Sequence, residues 1–481
     1  MKRYRVSHLR NTPRLAPRPV MPLILWMVVS LLAAACWSST GLAPVASTTP
    51  PAGNDPLPSA MPTDPMAAAA SPSPLPATAA PTPTEAPPPG TPVPDLFSQE
   101  PPISATAYLL PLTVQHVTET SATLFLELAA PASGALFYRP AGGDAGTTST
   151  AVLLEPTQTR HQLVLENLQP GVEYQAQVGL SEGDGSLRQP AFRQAAWGAV
   201  HFRTAASQEP LRFGVFGDAS FGDPATVALV ERMLTYDLDF AIHTGDVVAE
   251  IQNDPSPAEA YATKFYTALS GLLHHMPIYT VIGNHDYDRP AYWQEQPFYY
   301  YAFPPFFDPA FQSTIASGAR QYYAFAKQGV QFMLLDSQTF YGVPGRAEQQ
   351  AWMEERLADP RFRYTIPIFH VPPFFSGSVH PQDGIPIRQT WHPLFSTSRV
   401  PLAFSGHSHH YERLFADGIT YIVSGGGSSI IYAAGEILPQ SQIYARRTHF
   451  VLVELYADRI ELSAIDKNGE LLDRWTVETP G

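Results

Sequence analysis

The chain has 481 residues, of which 50 are proline, and its formal net charge is −14. Hydrophobic residues make up 44% of it, which is enough for a large core and excludes a wholly disordered chain or a collagen-like fibre. The acidic balance argues against nucleic-acid binding, and a single cysteine excludes a disulfide scaffold or a thiolate zinc site.

The first 36 residues have the pattern of an export signal. Basic residues without acidic ones occupy 1–19, and an apolar run of 16 residues follows over 20–35, which is short for a membrane-spanning helix of about 20. Small residues precede Cys36, as in a bacterial lipoprotein signal, although Ala33 departs from the usual leucine. We predict an exported protein that is lipid-anchored to the membrane at the bacterial cell surface through Cys36, or secreted. A signal peptide cleaved elsewhere and an uncleaved anchor are the alternatives.

Residues 37–107 are predicted to form a disordered linker rich in Pro, Ala, Ser and Thr. Prolines number 19 within 41–102, and such runs favour extended conformations over helices or sheet ladders. The segment is interpreted as a spacer between membrane and folded part. A site for a proline-recognising partner is the alternative.

Short strand patterns separated by Gly, Pro and Asn cover residues 108–206. Residues 121–128 alternate, with Ala122 and Leu124 on one predicted buried face, which favours a small antiparallel β-sandwich. The segment from Leu168 to Tyr174 resembles the tyrosine corner of fibronectin type III domains. We therefore predict a fibronectin type III-like domain without catalytic residues.

Residues 209–478 alternate strand and helix signals, as in an α/β layered domain. Five predicted strands end in polar residues, which are Asp218, Asp246, Asn284-His285-Asp286, His370 and His407-Ser408-His409. Carboxyl ends of strands are where α/β folds place their sites, so these side chains should meet at one sheet edge. Asp, Asn and His without Cys suit Fe, Mn or Zn, and their number exceeds the four ligands of a structural zinc. A pair of metal ions about 3.5–4 Å apart, bridged by one carboxylate, would use such a donor set naturally.

These motifs resemble the metallophosphoesterase (calcineurin-like) signature. The extension from His409 to Arg413, and the sandwich before it, resemble the purple acid phosphatase branch. The resemblance implies a multidomain α+β fold, in which an N-terminal antiparallel β-sandwich precedes an α/β metallophosphoesterase β-sandwich flanked by helices. It also implies two divalent or trivalent metal ions. Their ligands would be the shared Asp246, with Asp218 and His409 at the first ion and Asn284, His370 and His407 at the second.

The same resemblance implies an acid-phosphatase-like hydrolase of phosphomonoesters, acting by attack of a metal-bound hydroxide with His285 as general acid. His380, ten residues after His370, would contact the substrate or be only a loop residue. A phosphodiesterase is the first alternative. The second is a surface binding or adhesion protein whose metal domain is vestigial. The oligomeric state is not predicted.

Two departures from the family pattern affect the first metal ion. Purple enzymes have a tyrosine three residues after the shared aspartate, where this chain has Ala249. Other members have a histidine two residues after the first aspartate, where it has Ser220. Water, Ser220 or a residue from a distant loop could fill the gap. The ferric tyrosinate colour is not expected, and Mn, Zn or Fe(II) is expected rather than a stable ferric site.

Four other features are ambiguous in the sequence. Asp286 and Asp336 could each orient an imidazole or simply cap a turn. The aromatic stretch 298–307 could line a cleft or pack as a loop. Residues 425–427, three glycines, lack the lysine of a P-loop and favour a close-approach turn beside the site.

Overall fold

The computed structural model describes residues 97, 102–142, 149–206, 210–249, 251–287, 298–304, 308 and 322–479. All of them belong to one compact unit, residues 81–481. The predicted export signal, Cys36 and nearly all of the linker lie outside the described residues. Within the described ranges, no helix has the length and apolar character needed to cross a membrane.

The N-terminal part is an antiparallel β-sandwich, as predicted. Its strands are β1 (Tyr108–Val117), β2 (Ala122–Leu128), β3 (Gly134–Pro140), β4 (Thr150–Leu153), β5 (Arg160–Leu165), β6 (Glu173–Ser181), β7 (Leu187–Arg188), β8 (Ala191–Phe192), β9 (Ala195–Ala196) and β10 (Val200–Arg203). One sheet has the order β1-β2-β5, the other has the order β10-β6-β3-β4 with β7 beside β6, and β8 pairs with β9. The predicted tyrosine corner is confirmed, because the Gln169 backbone N–H donates to the Tyr174 hydroxyl at 2.9 Å.

The alternation predicted over residues 121–128 is wrong in one respect. All seven residues of β2 are buried, so neither face of this strand meets solvent. The cause is a distant segment: Tyr301 donates a hydrogen bond to Glu127 on β2, and the Arg160 guanidinium lies 4.0 Å from the Tyr301 ring. The described part of the aromatic stretch therefore packs against the sandwich, as expected, but it does so as a short helix at Phe298–Ala302 and not as a loop.

The second part contains two sheets packed face to face. Its strands are β11 (Leu211–Phe216), β12 (Phe240–His243), β13 (Ile278–Thr280), β14 (Tyr323–Lys327), β15 (Val330–Leu335), β16 (Tyr364–Phe369), β17 (Leu402–Ser405), β18 (Tyr411–Ala416), β19 (Ile419–Ser424), β20 (Ser441–Ala445), β21 (His449–Leu455), β22 (Arg459–Asp466) and β23 (Leu471–Glu478). The sheet orders are β13-β12-β11-β21-β22-β23 and β14-β15-β16-β17-β19-β18-β20. Phe213 and Phe240 from one sheet meet Phe332 from the other at ring distances of 5.4 and 5.6 Å, which forms a continuous aromatic core.

Helices cover the outer faces of the two sheets. They are α1 (Pro224–Met233), α2 (Pro257–Tyr261), α3 (Ser270–Leu273), α4 (Phe298–Ala302), α5 (Arg346–Leu357) and α6 (Ile385–Ser396), with a π-helix at Ala262–Thr267 and 3₁₀ helices at Ile251–Asn253 and Ser337–Phe340. Met233 of α1 is buried against the first sheet, and Trp391 of α6 against the second. The predicted α/β sandwich flanked by helices is confirmed.

The strand directions bring the candidate site together. In the first sheet β11, β12 and β13 run parallel, and in the second β15, β16, β17 and β19 do. Parallel neighbours end at the same edge of a sheet. The five polar strand ends therefore converge at one edge of the sandwich.

Candidate metal centre

Three of the predicted ligands have left-handed backbones. The φ angles are 56° at Asp218, 51° at Asp246 and 65° at His407. A non-glycine residue in this region costs about 1–3 kcal/mol and persists only where its surroundings hold it. Each of the three follows a glycine within three residues of a strand end, so the sharp turn aims the side chain across the sheet edge.

The glycines at these turns are required for close approach. A Cβ on Gly217 would lie 1.9 Å from the Thr244 hydroxyl, and one on Gly283 would lie 2.1 Å from an Asp246 carboxylate oxygen. A Cβ on Gly406 would lie 2.6 Å from an Asp218 oxygen. The turns are thus packed against each other's carboxylates with no room for a side chain.

Backbone N–H groups of one turn hold the carboxylates of another. The His407 N–H donates to both Asp218 oxygens at 2.9 and 3.2 Å, and the His285 N–H donates to Asp246 at 2.9 Å. Asp286 in turn accepts from the backbone of Gly283 and Val247, and from that of Val248. Asp286 therefore braces two turns, which supports the turn interpretation.

The ligating atoms of Asp218, Asp246 and His370 all lie within 4.8 Å of one another. All three residues are buried, at 0%, 2% and 0% exposure. Burial disfavours protonation of His370, but Asp246, 3.3 Å away, outweighs it and raises the pKa of the imidazole to about 9. Two carboxylates and an imidazole buried in one place form a donor set that a metal cation would neutralise.

We define the second half-site as Asn284, His370 and His407. The Asn284 side-chain oxygen lies 3.0 Å from His370 Nε2 and 3.0 Å from His407 Nδ1. His370 Nδ1 donates to the Thr244 carbonyl at 2.9 Å, which leaves Nε2 as the nitrogen that could bind a metal ion. The donor atoms thus converge on one point, as a metal ion requires.

Asp383 orients the third member of this half-site and was missed in the sequence. His407 Nε2 lies 3.0 Å from an Asp383 carboxylate oxygen, so Nδ1 is the nitrogen that faces Asn284. Nothing in the sequence around Asp383 marks it, because it lies in the loop before α6. Its role arises only when that loop folds back over the end of β17.

We define the first half-site as Asp218 and His409, with Asp246 shared between the two half-sites. His409 Nε2 lies 3.4 Å from Asp218, and its Nδ1 donates to the Ile430 carbonyl at 2.9 Å. The His409 ring stacks on Tyr432, with centroids 4.1 Å apart and planes 6° apart. Ile430 and Tyr432 belong to the segment after the three glycines, and the sequence did not mark either of them.

The two departures noted in the sequence lie side by side. The Ala249 N–H donates to the Ser220 carbonyl at 3.0 Å, and both residues are buried. Gly427, the last residue of the predicted close-approach turn, does approach the site closely: its N–H donates to the Gly217 carbonyl at 2.8 Å, and a Cβ there would lie 2.3 Å from that oxygen. The methyl group of Ala249 offers no ligand, so the first half-site has fewer donors than the second.

Both predicted catalytic histidines lie at the rim of the centre. His285 is 42% exposed in its side chain, and its Nε2 is 4.0 Å from Asp246. His380 is exposed, with its ring 5.9 Å from that of His407. Both rings can therefore reach a bound molecule from solvent.

Asp336 lies deeper and does not contact an imidazole among the described residues. It accepts from the Tyr287 hydroxyl at 2.6 Å and from the Gln338 N–H at 2.7 Å. Burial raises the pKa of this carboxyl to about 7. The contacts support the capping interpretation of Asp336.

Comparison with known proteins finds similarity to one family and to several plant enzymes. Residues 211–411 match the calcineurin-like phosphoesterase family. A probable purple acid phosphatase 20 of Arabidopsis thaliana is 27% identical over 245 residues, which cover 48% of this chain and 54% of that protein. Purple acid phosphatase 18 of the same plant is 24% identical over 279 residues, 56% of each chain. The chain spans about half the length of these relatives.

A solved structure supports the fold over a longer stretch. Purple acid phosphatase PPD1 from yellow lupin (Lupinus luteus) seeds matches with a TM-score of 0.60 at 18% identity, covering 76% of this chain and 74% of that one. At this identity the likeness concerns the fold alone. Residues 211–411 thus match the calcineurin-like phosphoesterase family, and about half of the chain is similar in sequence to purple acid phosphatases, whose fold it shares.

Proposed function

We propose that the protein is an exported, dinuclear metal-dependent phosphohydrolase that acts on phosphomonoesters. The observation that carries the proposal is the convergence of two buried carboxylates and a buried imidazole, within 4.8 Å, at the edge where five strands end. Relationship to purple acid phosphatases supports the monoester class. Export and lipid anchoring rest on residues 1–36 alone.

The two half-sites support the following ligand assignment. Asp246 would be shared, because its carboxylate lies 3.3 Å from His370 of the second half-site and within the same 4.8 Å group as Asp218 of the first. Asn284, His370 and His407 would hold one ion, and Asp218 and His409 the other. Two such ions supply Lewis acidity for phosphoryl oxygens and an activated water for in-line attack.

The chain's own rim residues would complete the reaction. His285 would protonate the leaving oxygen, because its ring is exposed beside the shared carboxylate while its backbone is fixed by the 2.9 Å bond to Asp246. His380 would contact the phosphate from the side of His407, since its ring lies 5.9 Å from the His407 ring. Asp383 would keep His407 Nδ1 directed at the metal.

The proposal is tested on the purified full chain. We expect two metal ions per chain after reconstitution with Mn, Zn and Fe, and faster hydrolysis of p-nitrophenyl phosphate than of bis-p-nitrophenyl phosphate. Asp246→Asn should lose activity. Asp239→Asn is the matched control, because Asp239 stands at the other end of β12 and accepts from the Arg212 N–H at 2.9 Å.

Each other result has a definite meaning. Preference for the diester would make the protein a phosphodiesterase with the same centre. Less than one metal per chain and no turnover would overturn the enzyme proposal and favour a binding or adhesion role for the sandwich.

A further inference from the structure

We propose that Glu412 is a positioning residue of the proposed centre. Its carboxylate holds the His380 loop, residues 371–380, against the ligand turn, residues 406–410, which carries His407 and His409. Glu412 lies on β18 with 0% exposure, outside the predicted ligands and the rim histidines. The inference rests on the proposed function and deepens it, because it says how the contact of His380 with the substrate is set.

The Glu412 carboxylate binds the His380 loop through one residue. The Ser376 backbone N–H donates to one carboxylate oxygen at 2.8 Å, and the Ser376 hydroxyl donates to the other at 2.5 Å. Ser376 is buried at 1% exposure, and only three residues separate it from His380. Hydrogen bonds to an ionised acceptor are strong, so two of them fix Ser376 firmly. The position of Ser376 in turn limits where His380 can lie.

The same carboxylate reaches the ligand turn through two further buried residues. His410 Nε2 lies 3.0 Å from a Glu412 oxygen, and His410 Nδ1 lies 3.1 Å from the Ser408 hydroxyl oxygen. Because a carboxylate only accepts hydrogen bonds, His410 donates through Nε2, and the Nδ1 of the neutral imidazole accepts from the Ser408 hydroxyl. Ser408 stands between His407 and His409, so the turn that carries both predicted ligands is tied to Glu412.

The loop and the turn that Glu412 joins are also in direct contact. A Cβ on Gly377 of the loop would lie 2.2 Å from the Ser408 hydroxyl oxygen and 3.2 Å from a ring carbon of His410. The loop therefore packs on the turn with no room for a side chain at position 377. At this close approach, a shift of Ser376 would change the spacing of the two segments.

The ligand turn has supports of its own, and these do not involve the carboxylate on β18. The His407 N–H donates to Asp218 at 2.9 Å, and His409 Nδ1 donates to the Ile430 carbonyl at 2.9 Å. When the charge on β18 is removed, we therefore expect both metal ions to remain bound. The displacement should fall on the His380 loop.

The test is a double-mutant cycle on the metal-loaded full chain, with p-nitrophenyl phosphate as substrate. Glu412→Gln places an N–H donor among three groups that donate to the carboxylate. It should lower kcat/KM by about 10- to 100-fold, mainly through a higher KM, because His380 would bind the substrate. In a His380→Ala background the same substitution should change kcat/KM by less than about 2-fold, since the residue that it positions is gone.

Two controls separate this effect from a general loss of structure. Elemental analysis should find two metal ions per chain in every variant. Glu127→Gln is the matched control, because Glu127 is a buried carboxylate of the sandwich, 3.5 Å from an Arg160 nitrogen. It should leave kcat/KM unchanged in both backgrounds.

A milder substitution decides the matter if Glu412→Gln does not fold. Ser376→Ala removes one of the two bonds from the loop to the carboxylate, and its smaller loss of kcat/KM should also disappear in the His380→Ala background. Ser378→Ala is its control, because that side chain is exposed in the same loop.

The outcomes distinguish this inference from the proposed function. A loss in Glu412→Gln that is as large in the His380→Ala background as in the wild type would overturn the positioning role. An unchanged kcat/KM in Glu412→Gln would overturn it too, and both results would leave the proposed function standing. A wild type that does not hydrolyse the ester would overturn the proposed function and this inference with it.

Discussion

The two halves of the metal centre are built in different ways. In the second half-site His370 is held by the Thr244 carbonyl and His407 by Asp383, at 2.9 and 3.0 Å, and both face Asn284. The first half-site has Asp218 and His409, while the turns that carry family ligands offer only Ser220 and Ala249. The candidate ligands of the second half-site thus all follow strand ends. In the first half-site, the orientation of His409 depends on the segment that contributes the Ile430 carbonyl and the Tyr432 ring.

This difference predicts unequal metal affinities. Calorimetric titration of the metal-free chain with Zn²⁺ should show two steps, of which the tighter belongs to the second half-site because its donors are already oriented. His370→Ala should abolish the tighter step and turnover with it, whereas His409→Ala should abolish the weaker one. Loss of the tighter step in His409→Ala would reverse the comparison.

Substitution of His285, the proposed general acid, should slow the reaction without weakening metal binding. His285→Ala should lower kcat by about 10²- to 10⁴-fold, the usual contribution of general acid catalysis, with both metals retained. The loss should be greater for an alkyl phosphate than for p-nitrophenyl phosphate, because the poorer leaving group depends more on protonation. Steady-state kinetics and elemental analysis check this, and equal losses for both substrates would contradict the acid role.

Substitution of Asp383 tests whether orientation of His407 explains the higher metal affinity that we expect of the second half-site. Asp383→Asn should weaken metal binding there by about 10- to 100-fold and leave the first step unchanged. Asp417→Asn is the matched control, because Asp417 makes a similar 2.9 Å contact with His392, which is not a predicted ligand. Equal effects of the two substitutions on metal binding would exclude a positioning role for Asp383.

The sequence predicted the candidate site best where its residues directly follow parallel strands. Asp218, Asp246, Asn284, His370 and His407 could be predicted to meet because parallel strands end at one edge. Asp383 and Tyr432 could not, because loops with no regular pattern bring them to the site. The buried outer face of β2 was likewise unpredictable, since residues that are distant in sequence cover it.

His449, which packs against the glycine turn beside the first half-site, should affect how the free energy of unfolding depends on pH. His449 is buried, lies 3.2 Å from the Ser424 hydroxyl, and packs so tightly on Gly426 that a Cβ there would lie 2.5 Å from it. Burial lowers the pKa of His449 from 6.5 to about 4. The unfolded chain therefore binds this proton more readily, and the contribution of neutral His449 is complete above pH 6.5 and declines toward pH 4.

His449→Gln isolates this contribution, because the wild-type curve also contains Asp336, whose raised pKa of about 7 acts in the opposite direction. In denaturant unfolding of the metal-free chain, the stability cost of the substitution should be about 2 kcal/mol smaller at pH 5 than at pH 7. The sign follows because glutamine cannot take up the proton that, in acid, binds His449 of the unfolded wild-type chain and stabilises that unfolded state. A cost that is the same at both pH values would mean that His449 is not held neutral, and that the glycine turn beside Asp218 does not depend on it.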